Sequence, residues 1–270
     1  MKLFVSDLDG TLLNSDHRIT EKNKEALRLL SENGYEIALC SGRVLSSVEF
    51  IAKEVGVNAY ALGNNAAVIS YKGDIIYQKP INKDTLQKLI DYALEHDIKF
   101  HMYDKDTFYS NVYDLKRLEH LMDDNGNVVQ VKTYFDENIA EYVKKHDISI
   151  FKIMYYTNFA ADAKTLDAIK EFEDIYPSMS GTTSADMVNV EVNKWHGIEF
   201  ITKHFGKVYE KIVSIGDYEN DIPMIKNSDI GIAMGNALDS VKESADFITD
   251  TNDNDGFYKA VINLLEGEND

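Results

Sequence analysis

Residues 3–13 read LFVSDLDGTLL, and this stretch decides the fold. Its first three residues are apolar and predict a short buried strand, which leads directly into Asp7 and Asp9. Gly10 then allows a sharp turn where the strand would otherwise continue. Ligands of open parallel sheets bind at the carboxyl ends of the strands, so both carboxylates are expected to face a crevice.

Two carboxylates this close together need a cation. Magnesium is a hard ion that prefers oxygen ligands, keeps several waters, and is commonly held by one or two carboxylates together with a substrate phosphate. The same Asp-x-Asp-Gly string also occurs in calcium loops and in ordinary turns, where the aspartates are turn formers. The string by itself therefore leaves a metal site and a plain turn equally open.

Four strings along the chain resemble, in the same order, the motifs of the haloacid dehalogenase-like (HAD) superfamily. Residues 7–11 (DLDGT) resemble motif I, residues 41–43 (SGR) motif II, Lys194 motif III, and residues 216–221 (GDYEND) motif IV. The resemblance covers essentially the whole chain. The long stretch between motifs II and III is similar to that of the Cof-type members, which carry a type IIB cap.

This resemblance implies a magnesium-dependent phosphatase that works through an aspartyl-phosphate. Asp7 would be the nucleophile, and Asp9 would protonate the leaving group and later activate a water. The residues implied to bind the phosphate group are Thr11, Ser41, Gly42, Lys194 and Asn220. The residues implied to hold Mg²⁺, directly or through water, are Asp7, Asp9, Asp217 and Asp221.

The residue types at motifs II to IV also have simpler explanations. The Ser41 hydroxyl and the Gly42 amide can donate to a phosphate oxygen, but they can equally form a plain strand-to-helix turn. A lysine such as Lys194 is normally solvated surface. Asp221 can be a helix N-cap, because Pro223 falls in the first turn of the following helix.

The pattern of strands and helices predicts an α/β fold: a Rossmann-like parallel-sheet core with an inserted α/β cap domain. We expect the core to comprise residues 1–82 and 193–270, and the cap residues 83–192. In the first half, Thr20 predicts a helix start, Gly34 and Gly56 predict helix ends, and the runs at 68–70 and 75–77 predict a hairpin. Further predicted elements are helices at 84–96 and 162–172 and strands at 100–103, 107–110, 149–156 and 187–192.

Three local features depart from the expected patterns. Relatives carry Asn-Gly after the third strand, whereas this chain has Asn65 at the glycine position, and asparagine tolerates a left-handed backbone. Two residues, Trp195 and His196, separate Lys194 from the next glycine. Cys40 lacks the arginine six positions on that a cysteine-based phosphatase needs, so it is interpreted as a small buried residue.

The charge of the chain limits its partners. A formal net charge of −18 over 270 residues repels polyanions, so neither nucleic acid nor an anionic membrane is an expected partner. A small phosphorylated metabolite remains possible, because a bound cation and local donors can override the global field. No run is apolar enough to span a bilayer, and a single cysteine agrees with a reducing compartment. We expect a cytoplasmic protein that is a monomer or a weak homo-oligomer.

The sequence thus predicts a phosphatase of small phosphorylated metabolites, with sugar phosphates as the expected substrates. A sugar phosphomutase on the same core stays open, and so does a non-catalytic phosphometabolite-binding protein, although binding alone gives no reason for both Asp7 and Asp9. A nucleotide-driven kinase is disfavoured, because the chain has no Gly-x-x-x-x-Gly-Lys-Ser/Thr string.

Overall fold

The computed structural model describes residues 1–113, 118, 121–122, 128–156, 168–181 and 184–268. In chain order, its strands are β1 (Lys2–Ser6), β2 (Tyr35–Cys40), β3 (Ala59–Gly63), β4 (Val68–Tyr71), β5 (Asp74–Gln78), β6 (Lys99–Tyr103), β7 (Thr107–Ser110), β8 (Lys132–Phe135), β9 (Lys152–Tyr156), β10 (Ile175–Gly181), β11 (Ser184–Asn189), β12 (Lys211–Gly216), β13 (Ile230–Ala233) and β14 (Phe247–Ile248). Its helices are α1 (Glu21–Glu32), α2 (Leu45–Val55), α3 (Lys83–Glu95), α4 (Ile139–Lys145), α5 (Lys194–His204), α6 (Ile222–Asn227), α7 (Asp239–Lys242) and α8 (Gly256–Glu266).

The first sheet has eight strands in the order β14-β13-β12-β1-β2-β3-β4-β5. The six strands from β14 to β3 are parallel, and β1 lies between β12 and β2. The hairpin of β4 and β5 then adds two antiparallel strands at one edge. The direction in which successive strands are added to the sheet reverses at β1, so the sheet has a topological switch point there. The carboxyl ends of β1, β2 and β12 meet at this point, which is where ligands bind in open α/β sheets.

The second sheet has six strands in the order β10-β11-β9-β6-β7-β8. Neighbouring strands run antiparallel except β7 and β8, which are parallel. Its strands all come from the part of the chain between β5 and β12, which both belong to the first sheet, so it is an insertion into that sheet. The two sheets have separate hydrophobic cores, one around Phe4, Leu39 and Ile215 and the other around Leu89, Phe100 and Ile153.

The predicted α/β class with a parallel-sheet core and an inserted α/β unit is confirmed. Thr20 caps α1 by accepting from the Asn23 amide at 3.2 Å, and Gly56 ends α2 in the left-handed region, as the sequence predicts. The strands β8 and β10 and the helix α4 were not predicted. Most of the helix predicted at residues 162–172 lies outside the described residues. The exact domain bounds stay a prediction.

No helix in the described part of the chain is long and apolar enough to cross a membrane.

Cys40 is fully buried, and this burial raises the pKa of its thiol to about 12. The interpretation of Cys40 as a small buried residue is therefore confirmed.

Helix α5 carries Lys194 at its first position and packs closely on the turn after β3. A Cβ added at Gly197 would lie 2.6 Å from the Ala66 Cβ and 2.8 Å from a Leu62 methyl group. Ala66 cannot move away easily, because its Cβ is fixed to a backbone with φ +74°. The glycine therefore sets the distance between α5 and the sheet.

We predict that Gly197→Ala lowers the free energy of unfolding by about 1–3 kcal/mol, because overpacking outweighs the better helix propensity of alanine. Urea unfolding measures this loss. Lys203→Ala, on the exposed side of the same helix, is the control and should change stability by less than about 0.5 kcal/mol. A Gly197→Ala protein that is more stable than the parent would show that α5 does not pack tightly against the turn after β3.

Candidate active site

The predicted site residues meet at the carboxyl ends of the central strands. Asp7 directly follows β1, Ser41 follows β2 and Asp217 follows β12. Each strand is held by its parallel neighbours, with Ser6 opposite both Leu39 and Ile215. The sequence prediction that strand ends gather these side chains is therefore confirmed.

Three carboxylates form an acidic cluster, defined here as Asp7, Asp217 and Asp221. One oxygen of each lies within 4.8 Å of the others. Lys194 is fully buried beside them and donates from Nζ to Asp7 Oδ1 and to Asp221 Oδ1, both at 2.5 Å. Burial opposes its charge, but Asp221 and Asp7 outweigh that effect and raise the pKa of Lys194. The lysine is therefore a fixed positive charge under the cluster.

The side chain of Asp221 folds back onto the loop that precedes it. Its Oδ2 accepts from the backbone amides of Asp217 and Tyr218, each at 3.0 Å. Asp221 is the N-cap residue of α6, as the sequence predicts, but its side chain makes no cap hydrogen bond to that helix. Both oxygens of Asp221 thus have protein donors, and the residue holds the Asp217 loop and Lys194 together.

Asp217 is supported by neutral donors. Thr11 Oγ1 donates to its Oδ1 at 3.3 Å, and Asn236 Nδ2 donates to its Oδ2 at 3.2 Å. Gly10 allows this approach: it has φ +76°, and a Cβ there would lie 2.3 Å from Asp217 Oδ2. Thr11 is fully buried and donates to the acidic cluster, and its expected role in phosphate binding stays a prediction.

Crowding in the cluster disfavours its negative charge. Burial, together with the charges of Asp221 and Asp9, raises the pKa of Asp7 to about 7 against the opposing effect of Lys194. Burial, together with Asp7 and Asp221, raises the pKa of Asp217 to about 8. The single lysine therefore does not fully compensate three carboxylates, and the arrangement favours an additional cation.

Asp9 lies beside the cluster but is not part of it. Arg43 binds its carboxylate with two hydrogen bonds, Nη2 to Oδ1 at 2.6 Å and Nε to Oδ2 at 2.8 Å. His17 Nδ1 lies 3.0 Å from Oδ1. The Asp9 side chain is 39% exposed, whereas that of Asp7 is 8% exposed. The structure thus brings Asp7, Asp217 and Asp221 together and pairs the fourth predicted carboxylate with an arginine.

The predicted phosphate-binding residues do not all line the same cavity. Ser41, Gly42 and Asn220 line a cavity of about 350 Å³ together with Asp7 and Asp217. Lys194 does not line this cavity; it lies behind Asp7. The cavity lies within the range of roughly 300–1,000 Å³ that is usual for small-molecule sites.

The insertion lines the other side of the cavity, partly with strands of the second sheet and partly with residues between β7 and β8. Its contribution is mostly apolar, with one charged pair, and the residues are Tyr103, Phe108, Leu118, Leu121, Val131, Lys152, Met154, Ser184 and Asp186. Lys152 Nζ donates to Asp186 Oδ2 at 3.0 Å and to the Gly42 carbonyl at 2.8 Å. It also lies 4.4 Å from the centre of the Tyr103 ring. A residue of the insertion thus contacts the motif II loop directly.

Sequence reasoning missed Arg43, Lys152 and Asp186 as site residues. Arg43 is the last residue of motif II, and its position next to Asp9 depends on how two loops meet. Lys152 and Asp186 are separated by 34 residues and lie on neighbouring strands of the second sheet. The available signal was a charged residue directly before apolar or aromatic ones in each strand, Lys152 before residues 153–156 and Asp186 before residues 187–188. Asn236, also not expected at the cluster, donates from Nδ2 to the Gly10 carbonyl and to Asp217 Oδ2.

Comparisons with known proteins agree with this geometry. The family model of the haloacid dehalogenase-like hydrolases matches residues 4–261. A Bacillus subtilis protein named 5-amino-6-(5-phospho-D-ribitylamino)uracil phosphatase YcsE is 27% identical over 269 residues, which cover 97% of this chain and 94% of that protein.

Two solved structures have the same fold. One, a haloacid dehalogenase-like hydrolase from B. subtilis, superposes with a TM-score of 0.87 at 23% identity, covering 98% of this chain and 100% of the other. The other, the HAD subclass IIB sugar phosphatase BT4131, has a TM-score of 0.80 at 22% identity, with 98% and 99% covered. From the family match over nearly its whole length, the chain belongs to the haloacid dehalogenase-like hydrolases.

Proposed function

We propose that this protein is a magnesium-dependent phosphatase that hydrolyses small phosphorylated metabolites, such as sugar phosphates, through an aspartyl-phosphate on Asp7. The observation that carries the proposal is the placement of Asp7 on the cavity wall with Lys194 fixed behind it. A carboxylate held in one orientation by a buried cation is suited to attack phosphorus.

The acidic cluster fits Mg²⁺. Its donors are all carboxylate oxygens, which this hard ion prefers, and the raised pKa values of Asp7 and Asp217 support the proposal that the cluster binds a cation. We propose that Asp7 and Asp217 hold the ion directly and that Asp221, whose oxygens have protein donors, keeps Asp217 and Lys194 in place. When bound, Mg²⁺ supplies positive charge at the equatorial phosphate oxygens.

The chain's own residues account for the remaining steps. An Asp7 oxygen forms a bond to phosphorus while the bond from phosphorus to the leaving oxygen breaks. The Ser41 hydroxyl, the Gly42 amide and Asn220 donate to the phosphate oxygens from the cavity wall. Asp9 gives a proton to the leaving alkoxide and then takes one from the water that hydrolyses the aspartyl-phosphate. For this Asp9 has to exchange its contact with Arg43 for one with the leaving group.

We also propose that the insertion, residues 83–192, works as a cap that recognises the leaving group. Motif residues such as Asp7, Ser41 and Asp217 line the cavity from the core side, and much of the remaining wall comes from the insertion. A wall that can close over the strand ends excludes water and supplies contacts to the rest of the substrate.

The most direct test is a screen of phosphate monoesters with Mg²⁺ and detection of inorganic phosphate. The panel should contain hexose and pentose phosphates, nucleotides and a ribityl phosphate, since a relative is named for a phosphoribitylamino-uracil. Release of phosphate from at least one metabolite supports the proposal. Isomerised sugar phosphate without phosphate release would indicate a mutase, and no turnover with retained binding would indicate a binding protein.

We predict that Asp7→Asn lowers kcat by several orders of magnitude, because it keeps the shape of the side chain and removes the nucleophilic charge. Circular dichroism and thermal unfolding should show an intact fold. Turnover within about tenfold of the parent would exclude Asp7 as the nucleophile.

We predict that Mg²⁺ stabilises the protein more at about pH 9 than at about pH 6, because the ion competes with protons for Asp7 and Asp217. The folded-state pKa values of both groups lie above their unfolded values. The Asp7 and Asp217 carboxyls therefore contribute most to the free energy of unfolding at low pH, where they are protonated. This contribution is lost as the pH rises through about 7 to 8, and Mg²⁺ can then restore the stability by binding the two carboxylates.

Thermal unfolding with Mg²⁺ and with chelator, at both pH values, measures this linkage. Asp217→Asn is the matched variant: it removes one charge from the cluster and should lose both the Mg²⁺ effect and much of the pH dependence. Equal stabilisation by Mg²⁺ at both pH values would contradict the assignment of the ion to these carboxylates.

We predict that Phe108→Leu changes the ratio of kcat/KM values between two substrates with different leaving groups by about tenfold or more, because Phe108 lies on the cap wall. The dependence on Asp7 and Mg²⁺ should be unchanged. Leu94→Ala, on the exposed face of α3, is the control and should leave the ranking as it is. An unchanged ranking for Phe108→Leu would place specificity elsewhere.

A further inference from the structure

One face of the second sheet borders the cavity. In antiparallel strands, directly opposite residues lie on the same face, and so does every second residue along each strand. Asp186 on β11 is opposite Met154 on β9, and Lys152 on β9 is opposite Tyr103 on β6. All four residues line the cavity. They therefore share one sheet face, on which Lys152 and Asp186 are diagonal neighbours.

Lys152 and Asp186 are the only charged residues that the described part of the insertion adds to the cavity wall. They are 6% and 1% exposed and share this wall with apolar side chains such as Met154 and Phe108. A buried ion pair is weak evidence for stability, because apolar residues of similar volume often give an equally stable protein. Folding alone therefore does not explain the pair at this place, whereas a polar ligand would.

The pair has a defined position next to the motif II loop. Lys152 Nζ donates to Asp186 Oδ2 at 3.0 Å and to the Gly42 carbonyl at 2.8 Å, and it lies 4.4 Å from the centre of the Tyr103 ring. Asp186 also reaches this loop, since a Cβ added at Gly42 would lie 3.6 Å from its Oδ2. Ser41 and Gly42 are the proposed phosphate donors. A ligand group that meets the pair therefore belongs to the part of the leaving group nearest the phosphate.

The pair offers a ligand both kinds of hydrogen bond. An ammonium group has three N–H donors, and Lys152 has no third acceptor among the residues that the structure describes. The two oxygens of a carboxylate accept about four hydrogen bonds, so Asp186 can accept others besides the one from Lys152. A hydroxyl group both accepts and donates, and it can bond to both residues at once. An alkyl group would satisfy neither residue, and burying polar groups without partners costs free energy.

We propose that Lys152 and Asp186 are specificity-determining residues that bind a hydroxyl group of the leaving group close to the phosphoester. Lys152 donates to the hydroxyl oxygen, and the hydroxyl donates to Asp186. The protein therefore prefers the phosphate esters of sugars and polyols to alkyl phosphates without hydroxyl groups. This assignment rests on the proposed phosphatase function and adds to it the two residues that select the substrate class.

The test compares kcat/KM for two esters with Mg²⁺ and the full-length protein. One is the better substrate of a ribitol phosphate and a hexose phosphate, and the other is its counterpart without hydroxyl groups, pentyl phosphate or cyclohexylmethyl phosphate. Both esters release a primary alcohol, so the ratio of their kcat/KM values measures recognition of the hydroxyl groups. The parent should favour the hydroxylated ester by about tenfold or more.

The double variant Lys152→Met/Asp186→Leu removes the pair without leaving a buried charge unpaired. Thermal unfolding should therefore show a midpoint close to that of the parent. The ratio should fall by about tenfold or more, because the hydroxyl group loses both partners. Asp186→Asn is a second variant, which keeps Lys152 and its contact with Gly42. Its ratio should fall by about fivefold or more, while the inhibition constant of inorganic phosphate stays near the parent value.

Lys83→Met/Asp147→Asn is the matched control. Lys83 and Asp147 form an exposed ion pair in the insertion, and neither residue lines the cavity. This variant removes the same two charges from the insertion as the double variant does. Its ratio of kcat/KM values should equal that of the parent.

Two results would overturn the proposal. In the first, the parent does not favour the hydroxylated ester. In the second, the ratio in both pair variants stays within about twofold of the parent even where both kcat/KM values fall, which indicates that Lys152 only holds the Gly42 loop.

If the parent hydrolyses neither ester, dissociation constants from calorimetry replace kcat/KM. Tighter binding of the hydroxylated ester that is lost in the pair variants then supports the role of Lys152 and Asp186, although the proposed phosphatase function has failed. A parent that does not bind the hydroxylated ester more tightly than its counterpart overturns that role as well.

Discussion

The buried contact of Lys194 with Asp7 and Asp221 is the interaction on which the rest of the site depends. It joins three segments that are far apart in the chain: the end of β1, the start of α5 and the loop after β12. Removing one member of a buried ion pair leaves the other charge without compensation, which costs about 3–5 kcal/mol. The geometry of Asp7 is therefore tied to the seating of α5 against the sheet, through the close approach at Gly197.

The same contact shows that the site is not built for stability. Three carboxylates share one lysine, and the raised pKa values of Asp7 and Asp217 record the unfavourable balance. Neutral donors such as Thr11 and Asn236 orient Asp217 without cancelling its charge. Such an excess of buried negative charge is expected at a functional site, where a ligand or a cation completes the balance.

Most of the fold and part of the site could be predicted from the sequence. Hydrophobic runs that end in Asp7, Ser41 and Asp217 indicate strand ends, and parallel strands bring their ends together whatever the details of the loops. The contact of Asp9 with Arg43 could not be predicted, because it depends on how two loops are placed relative to each other. The role of Lys152 could not be predicted either, since it depends on the packing of one sheet over another. Strands β8 and β10 were missed because their residues do not alternate clearly between apolar and polar.

The loop of residues 41–43 is where these separate parts meet. Arg43 binds Asp9, and its Nη1 also donates to Gln130 in the insertion at 3.0 Å. The carbonyl of Gly42 accepts from Lys152, and the turn at Asn64 and Asn65 holds the loop from the core side. A movement of the insertion would therefore pull on the arginine that fixes Asp9 and on the loop that presents Ser41 and Gly42 to the cavity. If the insertion closes over a leaving group as proposed, its closure and the position of Asp9 are linked through this one three-residue loop.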